Sequence, residues 1–393
     1  MKNLIFSIIS TLFSLITAPT QAQFATTFRP LAWHHAPTSI AEYSGNYYVA
    51  GSGRNSQNGI TKDVMYLSTF DANGYITYQY FSDSSNTTTN IIRHCNAMEA
   101  NSNGFVMAGD SDGYFYVMKL DQSYSQIWSY VGIFGDAATE IITTGFGYLV
   151  AGDSGSVALD GNGNLIWQTT DLRYDIAQTT NGFVSCQRSD TVQLSGTDLS
   201  GNNPWSVTTG IQLVPQSWRA PHIATTANNV YVAGQKSDSL IVVSTDEYGS
   251  LQWQKSFPGS LFTVNELHTC PMGGLIITGA HMDSAFVMRL DYSGNVLWWY
   301  NRMLTDTFMS GCDAIQTTNG DIFWAGVQTN SFDLLGENFA ILQVDSISLS
   351  IEEFISVKSQ GTDERYDLLG KKIMDRDYEG ICIINGKLKY VNR

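Results

Sequence analysis

The chain has few charged residues, few prolines and few helix-forming runs, which are the features that disordered and helical proteins usually show. Only 15% of its 393 residues are charged, eight are proline, and runs of strong helix formers are few. Aromatic residues reach 12%, and glycine occurs 35 times. A chain so poor in charge and so rich in aromatic residues can bury enough apolar surface to fold, which excludes an intrinsically disordered protein. The balance is typical of an extracellular protein built from β-strands.

Basic residues are also scarce. Lys and Arg number 21 against 36 Asp and Glu, which gives a formal net charge of −15. Residues 351–393 contain eight of each kind, so the excess acid lies upstream of them. Nucleic-acid binding needs a basic surface, and we therefore expect no nucleic-acid partner. The acidity is compatible with a cation, a basic partner or a neutral glycan, or with solubility alone.

Cysteine is rare and widely spaced. The chain has five, and no Cys-x-x-Cys motif occurs, which argues against a zinc knuckle and a redox dithiol. We expect most of them to be small buried hydrophobic residues. They are Cys95, Cys186, Cys270, Cys312 and Cys382.

Long apolar runs are absent except at the N-terminus. Lys2 gives a basic start, Leu4–Ala18 is apolar, and residues 20–22 (Thr-Gln-Ala) form a small-residue cleavage site. This pattern predicts a signal peptide over residues 1–22 and a mature chain that begins at Gln23. The alternative, a membrane anchor, would need about 20 apolar residues. We expect no membrane span in the mature chain.

What the chain does have is a repeated phrase, Asp-x-x-Gly-x-x-x-Trp, at a period of roughly 40 to 50 residues, which indicates a repeat architecture. A seventh Asp, Asp345, opens the phrase without completing it. The six fuller instances, some of them decayed, are Asp71/Gly74/Tyr78, Asp121/Tyr124/Trp128, Asp160/Gly163/Trp167, Asp198/Gly201/Trp205, Asp246/Gly249/Trp253 and Asp291/Gly294/Trp298.

Each repeat predicts four short antiparallel strands. A Thr-Thr-Asn-Gly turn such as 317–320 leads into a run that closes in Ala-Gly, as at 48–51, and an alternating strand then precedes the Asp turn. Four strands make one propeller blade. We predict an all-β fold with a seven-bladed β-propeller of four-stranded blades over residues 23–350. The Asp and Gly are assigned to the turn, and Trp128, Trp167, Trp205, Trp253 and Trp298 are expected to be largely buried between blades.

The strand count leaves the last unit incomplete. Seven units have their first three strands, but only six have a fourth, and an unpaired strand would expose a sheet edge. The segment Phe28–Trp33 precedes the first unit and ends in Trp. We predict that it supplies the outer strand of the last blade.

The repeat pattern ends near Ile351, and a different sequence pattern follows. Residues 366–372 read Tyr-Asp-Leu-Leu-Gly-Lys-Lys, and 380–387 read Gly-Ile-Cys-Ile-Ile-Asn-Gly-Lys, which predicts two strands around an Asn-Gly turn. This part, residues 351–393, resembles the C-terminal sorting domain of the Bacteroidetes type IX secretion system, although Cys382 stands where that family usually has Tyr. The resemblance implies a small C-terminal β domain, the type IX machinery as partner, and a secreted or outer-membrane-surface location. The repeats resemble those of secreted bacterial propellers and quinoproteins, which implies no substrate.

One position in the repeat carries polar side chains that differ from unit to unit. It lies about seven residues before the end of the first turn, where the innermost strand of a propeller starts, and the first unit places Ser39 there. We expect these side chains to meet at one mouth of the channel, where they could bind Ca²⁺ or Mg²⁺, a sugar or a basic peptide, or only line a wet channel. They are Asn96, Glu140, Asp175, His222, Glu266 and Asp313.

Few enzyme classes fit. No adjacent Cys pair suits a quinone-dependent dehydrogenase, and no Gly-x-Ser-x-Gly elbow suits a serine hydrolase. We assign no catalytic residue and no organic cofactor. The sequence favours a binding or scaffold module with a glycan or protein ligand. The alternative is a carbohydrate-active enzyme that uses carboxylates at the channel mouth.

Overall fold

The computed structural model of the protein describes residues 22–28, 33–57, 60–82, 92–187, 189, 191–213, 221–236, 239–259, 262–302, 307–330 and 337–343, together with the strands 365–366, 380–384 and 387–391. No helix in this part of the chain is long and apolar enough to cross a membrane. The predicted signal peptide, apart from Ala22, lies outside the described residues, and so does Asp345.

The larger compact unit spans Ala22–Val296 and Asn301–Asp345. Its strands are short, and their bounds follow the repeat. In chain order they are β1 (Ala22–Phe28), β2 (Trp33–Tyr43), β3 (Asn46–Gln57), β4 (Ile60–Phe70), β5 (Ile76–Phe81), β6 (Arg93–Asn101), β7 (Gly104–Ser111), β8 (Tyr114–Leu120), β9 (Gln126–Val131), β10 (Ala138–Thr144), β11 (Gly147–Gly152), β12 (Gly155–Asp160), β13 (Leu165–Thr169), β14 (Asp175–Gln178), β15 (Gly182–Cys186), β16 (Thr191–Asp198), β17 (Trp205–Gln212), β18 (His222–Thr225), β19 (Asn229–Lys236), β20 (Ser239–Asp246), β21 (Leu251–Pro258), β22 (Phe262–Thr269), β23 (Leu275–His281), β24 (Ser284–Leu290), β25 (Val296–Arg302), β26 (Thr307–Gln316), β27 (Ile322–Asn330) and β28 (Glu337–Gln343).

These strands pair into four-stranded sheets that surround a common axis. Sheets 1 to 6 are β2–β5, β6–β9, β10–β13, β14–β17, β18–β21 and β22–β25, each in sequence order, and sheet 7 has the order β26-β27-β28-β1. Each innermost strand contacts that of the next sheet, and β26 contacts β2, so the innermost strands form a closed cycle. The predicted all-β propeller with four-stranded blades is confirmed.

The N-terminal segment completes sheet 7, but not with the predicted residues. Strand β1 pairs antiparallel with β28, with Phe24 opposite Leu342 and Phe28 opposite Asn338. Of the predicted segment Phe28–Trp33, only Phe28 belongs to this strand, because Trp33 already opens β2. The prediction of the partner sheet was right, whereas the bounds were wrong. The upstream segment is the better partner because it lacks a proline, which would remove a donor from the ladder.

The Asp turns have the structural role predicted for them. In each, the Asp Oδ1 accepts the backbone N–H groups two and four residues on, at 2.8–3.0 Å; the six are Asp71, Asp121, Asp160, Asp198, Asp246 and Asp291. The fourth residue needs positive φ, which glycine adopts without strain. In the second repeat, Tyr124 stands where the other turns have Gly, and it adopts the same conformation with a φ of 61°. The non-glycine residues with positive φ in the described part of the chain all have φ between 52° and 67°.

The tryptophans pack against the turn of the next sheet instead of lying deep between sheets. A Cβ added to Gly163 would lie 2.6 Å from the ring of Trp128, and Gly201 and Trp167 are related in the same way. Of the five, only Trp298 is buried, and Trp128, Trp167, Trp205 and Trp253 are half-buried. None of the five is exposed, so the prediction that they are largely buried is confirmed for Trp298 and holds in part for the other four.

Apolar side chains of the inner three strands fill the spaces between sheets. One such cluster joins Val106 and Val117 of sheet 2 to Ile141 and Val150 of sheet 3. Three of the cysteines, Cys95, Cys186 and Cys270, are buried as predicted, and Cys312 is half-buried. The side chain of Cys382 lies outside the described residues.

A separate three-stranded sheet lies beyond residue 345. It contains β29 (Arg365–Tyr366), β30 (Gly380–Ile384) and β31 (Lys387–Val391) in that order. Strands β30 and β31 are antiparallel, with Ile384 opposite Lys387, which confirms the two strands predicted on either side of Asn385-Gly386.

Candidate functional site

The innermost strands begin with a common irregularity. In five of them one extra residue bulges out of the pairing with the second strand, just before the predicted polar position; the bulged residues are Thr38, Asn96, Thr139, Asn265 and Cys312. The next residue in each sheet then pairs with the position of the Ala in the Ala-Gly signature. These equivalent residues are Ser39, Ala97, Glu140, Asp175, His222, Glu266 and Asp313.

The structure thus places five of the six predicted residues in one register and Asn96 in another. Asn96 is the bulged residue of β6, and Ala97 takes its expected place. A shift of one residue in a strand turns the side chain to the other face. Asn96 accordingly donates from Nδ2 to the carbonyl oxygen of Ala138 in the next sheet, at 2.7 Å. Asn265 makes the equivalent bond to Gly311 at 2.6 Å. The role of Asn96 is therefore to join two sheets.

Three of the predicted residues converge. The Nδ1 atom of His222 lies 3.2 Å from Oδ2 of Asp175 and 3.4 Å from Oε1 of Glu266, so the imidazole stands between carboxylates of both neighbouring sheets. All three side chains are largely buried: His222 is 12% exposed, Asp175 is 5% exposed and Glu266 is 14% exposed. The three ligand-type atoms lie within 4.8 Å of one another. We call Asp175, His222 and Glu266 the channel triad.

Backbone donors hold the two carboxylates of the channel triad. Oδ2 of Asp175 accepts the N–H of Ile223 at 3.0 Å, and Oε1 of Glu266 accepts the N–H of Leu267 at 3.0 Å. By contrast, Nδ1 of His222 is inaccessible to solvent and makes no hydrogen bond of acceptable geometry, despite its two close carboxylates. The triad therefore contains one buried nitrogen whose bonding capacity is unused.

A second imidazole–carboxylate pair lies beside the triad. Nε2 of His268 is 2.8 Å from Oδ1 of Asp313, whose other oxygen accepts the N–H of Ile40 in sheet 1 at 2.8 Å. Burial by itself lowers the pKa of His268, but the negative charges of Asp313, Glu266 and Asp175 outweigh burial and raise the pKa to about 9. Asp313 thus joins the last sheet to the first while holding a protonated histidine.

Two further glutamates complete the group of charges. Burial, followed by repulsion from Asp175 and Glu266, raises the pKa of Glu140 well above its ordinary value. Burial likewise raises the pKa of Glu99 to about 7, against the opposing effect of a backbone hydrogen bond from Thr143. Glu140 belongs to sheet 3 and Glu266 to sheet 6, and such distant sheets interact only across the central channel. We call these residues with His268, Asp313 and the triad the channel cluster.

The channel cluster is short of positive charge. It contains five carboxyl groups and two imidazoles, namely Glu99, Glu140, Asp175, Glu266, Asp313, His222 and His268. Attraction to Glu266 and Asp175 raises the pKa of His222 well above its ordinary value, although burial opposes this. Crowded buried carboxylates favour protonation of some members or binding of a cation, because repulsion raises the energy of the fully ionised state.

Sequence reasoning missed Glu99 and His268. Each lies two residues after the shared register position of its sheet, Ala97 and Glu266, and residues two apart in a strand point to the same face. Their polarity on an innermost strand was therefore a usable signal. A comparison of one position per repeat does not reveal it.

The protein is similar in fold to known propellers. It matches the WD40 domain of Neurospora crassa Pan2 with 11% sequence identity and a TM-score of 0.52, over 79% of this chain and 89% of that one. It also matches the Dos1 propeller with 10% identity and a TM-score of 0.49, over 80% of this chain and 94% of that one. No protein-family model and no curated protein matches the sequence. At these identities the first likeness shows the fold alone, which is that of a β-propeller.

Proposed function

We propose that the protein is an exported seven-bladed β-propeller that serves as a binding or scaffold module at the cell surface. The observation that carries the proposal is a series of exposed apolar side chains at the start of the outermost strands, next to the Asp turns. Ile127 and Leu251, for example, are 55% and 52% exposed. We call Ile76, Ile127, Leu165, Ile166 and Leu251 the rim series.

The rim series supports a binding role because it recurs. Ile76, Leu165 and Leu251 each lie two residues before the repeat's aromatic residue, so the repeat brings them to equivalent places on sheets 1, 3 and 5. Single exposed apolar residues are ordinary, so the support comes from their recurrence at the same end of the outermost strands. A protein or a glycan with apolar faces is the expected ligand.

The C-terminal residues support the proposed route of export. The patterns at 366–372 and 380–387 resemble the type IX sorting domain, and the signal-peptide pattern at 1–22 would bring the chain to the inner membrane machinery first. The proposal assigns recognition by the secretion machinery to residues 351–393 and ligand binding to the propeller. The protein would then be secreted or held at the outer-membrane surface.

A glycan-cleaving enzyme is the second candidate, and burial of the carboxylates argues against it. Glycosidases place two carboxyl groups on either side of a bound sugar, in a cleft open enough to admit it. Here Asp175 and Glu266 both approach Nδ1 of the same imidazole and are only 5% and 14% exposed. The raised pKa values of Glu99 and Glu140 would suit a general acid, but burial that also excludes the sugar favours binding over cleavage.

A glycan array and product analysis test the binding role. We expect the purified mature chain to retain glycans or peptides without releasing products. The variant Ile127→Lys/Leu251→Lys should lose retention, because it places charge on the rim series. Tyr114→Lys is the matched control, since Tyr114 is 54% exposed at the opposite ends of the strands. Equal loss in both variants would contradict the rim as the binding surface, and released products would favour the enzyme.

Cell fractionation tests the route. A chain that ends at residue 350 should stay inside the outer membrane of a type IX-competent host, whereas the full chain should reach the surface. Surface exposure of the truncated chain would contradict the sorting role of residues 351–393. A truncated chain that is degraded would be distinguished by its absence from the periplasmic fraction.

A further inference from the structure

The triad is the place where the channel cluster most resembles a ligand site. Three chemically different donor atoms, two carboxylate oxygens and one imidazole nitrogen, come from three adjacent sheets and converge within 4.8 Å. The nitrogen is buried, faces both carboxylates, and has no hydrogen-bond partner. We propose that Asp175, His222 and Glu266 bind a single divalent transition-metal ion through Oδ2, Nδ1 and Oε1.

The separations fit coordination. Metal–ligand bonds of about 2.0–2.2 Å place the ligand atoms of a tetrahedral site about 3.4 Å apart. The separations from Nδ1 are 3.2 Å and 3.4 Å, close to this value, and the two carboxylate oxygens lie within 4.8 Å of each other. Each carboxylate oxygen also accepts one backbone N–H, from Ile223 or Leu267, which leaves a lone pair for the metal and fixes the direction of that lone pair.

The imidazole decides the class of metal. The sequence alone suggested Ca²⁺ or Mg²⁺, which bind almost wholly through oxygen and need six or more ligands or several waters. One nitrogen and two carboxylates, in contrast, suit Zn²⁺, Mn²⁺ or Fe²⁺. Three protein ligands leave at least one coordination position for water or another small molecule that enters the channel.

A metal-free explanation also exists and makes the opposite prediction. A protonated His222 between Asp175 and Glu266 would satisfy the charges, but its single Nδ1–H has good hydrogen-bond geometry to neither carboxylate. A metal needs the unprotonated nitrogen, so its affinity rises with pH. An ion triple needs the protonated ring, so its contribution to stability falls as pH rises. The other charged groups that act on the two carboxylates of the triad are Glu140 and His268, and they are present under both explanations.

Titration of the full mature chain, stripped with a chelator, tests the site. We expect Zn²⁺ and Mn²⁺ to bind at one equivalent, and Mg²⁺ and Ca²⁺ at least about tenfold more weakly. The rise in melting temperature caused by Mn²⁺ should increase from pH 6 to pH 8. Binding of Mn²⁺ is measured by the loss of the electron paramagnetic resonance signal of the free ion. This measurement does not depend on the buried cysteine thiols.

Variants locate the metal. Loss of an outer partner typically costs 10- to 100-fold in affinity, so His222→Gln, which removes a direct ligand, should weaken Mn²⁺ at least about 100-fold. Asp110→Asn is the matched control, because it changes a carboxylate 2.9 Å from Nδ1 of His94, outside the channel cluster, and should leave affinity unchanged. Glu266→Gln serves if His222→Gln does not fold. Unchanged affinity in a folded triad variant, absence of Mn²⁺ and Zn²⁺ binding by the wild type, or a metal effect that shrinks from pH 6 to pH 8 would each overturn the proposal.

Discussion

Two parts of each repeat, the Asp turn and the start of the innermost strand, differ in how much their residues vary from sheet to sheet. At the Asp turn, six sheets repeat one arrangement, in which an Asp accepts two backbone N–H groups with nearly the same distances each time. At the start of the innermost strand, the register is equally regular but the side chain changes from sheet to sheet. There the repeat offers seven equivalent places, and the chain occupies them with Ser, Ala, Glu, Asp, His, Glu and Asp.

The difference separates structure from specificity. A position that must hold the same turn in every sheet keeps the same residue, because the backbone geometry it stabilises is the same. A position whose backbone is fixed by a bulge and by its neighbour is free to vary. Its variation then creates a combination, such as Asp175, His222 and Glu266, that no single repeat contains. We therefore expect substitutions at the two positions to differ in size and in pH dependence.

The largest effect should come from Asp313→Ala. This change removes a 2%-exposed carboxylate that holds both the N–H of Ile40 and the ring of His268. Leaving a buried charge without its partner costs about 3–5 kcal/mol, and the partial exposure of His268 favours the lower end. Urea unfolding of the metal-free chain measures it. Asp313→Asn, which keeps an acceptor for Ile40, should lose less, and equal losses would contradict the role of the hydrogen bond.

A smaller effect should follow from Gly163→Ala, on the turn half. The added Cβ would lie 2.6 Å from the ring of Trp128, and φ at this residue is +81°. Gly113→Ala is the matched control, because its φ is +79° but nothing lies within 4 Å of the added atom. The left-handed conformation costs about 1–2 kcal/mol in both, and overpacking adds about 1–3 kcal/mol at Gly163 alone. Equal melting temperatures for the two variants would show that the Trp–turn contact is loose.

Glu99→Gln should stabilise the protein, and only at neutral or higher pH. Because the folded pKa is raised from 4.5 to about 7, ionisation of Glu99 destabilises the fold above about pH 4.5, and the penalty is complete above pH 7. The substitution removes that penalty, which we expect to be about 1–2 kcal/mol at pH 8 and near zero at pH 4. Unfolding curves at the two pH values test it. A gain of the same size at both would mean that charge is not the cause.

The smallest effect should come from a single Asp turn. Asp291→Ala removes acceptors for the N–H groups of Ser293 and Asn295, which remain accessible to water. We expect a loss of about 1 kcal/mol, the usual net value of such hydrogen bonds, with little dependence on pH between 6 and 9. Thermal unfolding measures it, with Asp291→Asn as the control that keeps one acceptor. A loss as large as that of Asp313→Ala would erase the distinction between the two halves.

Most of the fold was predictable from the sequence, because the same turn and strand signals recur in each repeat. The Asn-Gly, Ala-Gly and Asp turns fix the strand order within each sheet, and the missing fourth strand correctly pointed to the N-terminus. The bounds of β1 were not predictable from the strand count. They depend on which segment forms an uninterrupted ladder with β28, and the segment preceding Pro30 does so.

The candidate site was predictable in register but not in detail. Counting back from the turn placed Glu140, Asp175, His222, Glu266 and Asp313 correctly relative to one another. The count failed at Asn96, which lies eight residues before Gly104, whereas Ala97 lies seven residues before it and holds the shared register. Distances between sheets could not be predicted either, because the sequence of a repeat does not determine how far one innermost strand lies from the next.

The pairing of β1 with β28 also bears on folding. Among the strand pairings of the described residues it spans the greatest sequence separation, since it brings Ala22 opposite Gln343. Contacts between distant residues form slowly, because the intervening chain must be closed into a loop first. Each sheet can collapse on its own hairpins, whereas the ring closes only after the last strand has been made. We therefore expect the ring of a nascent chain to stay open until β28 has been synthesised.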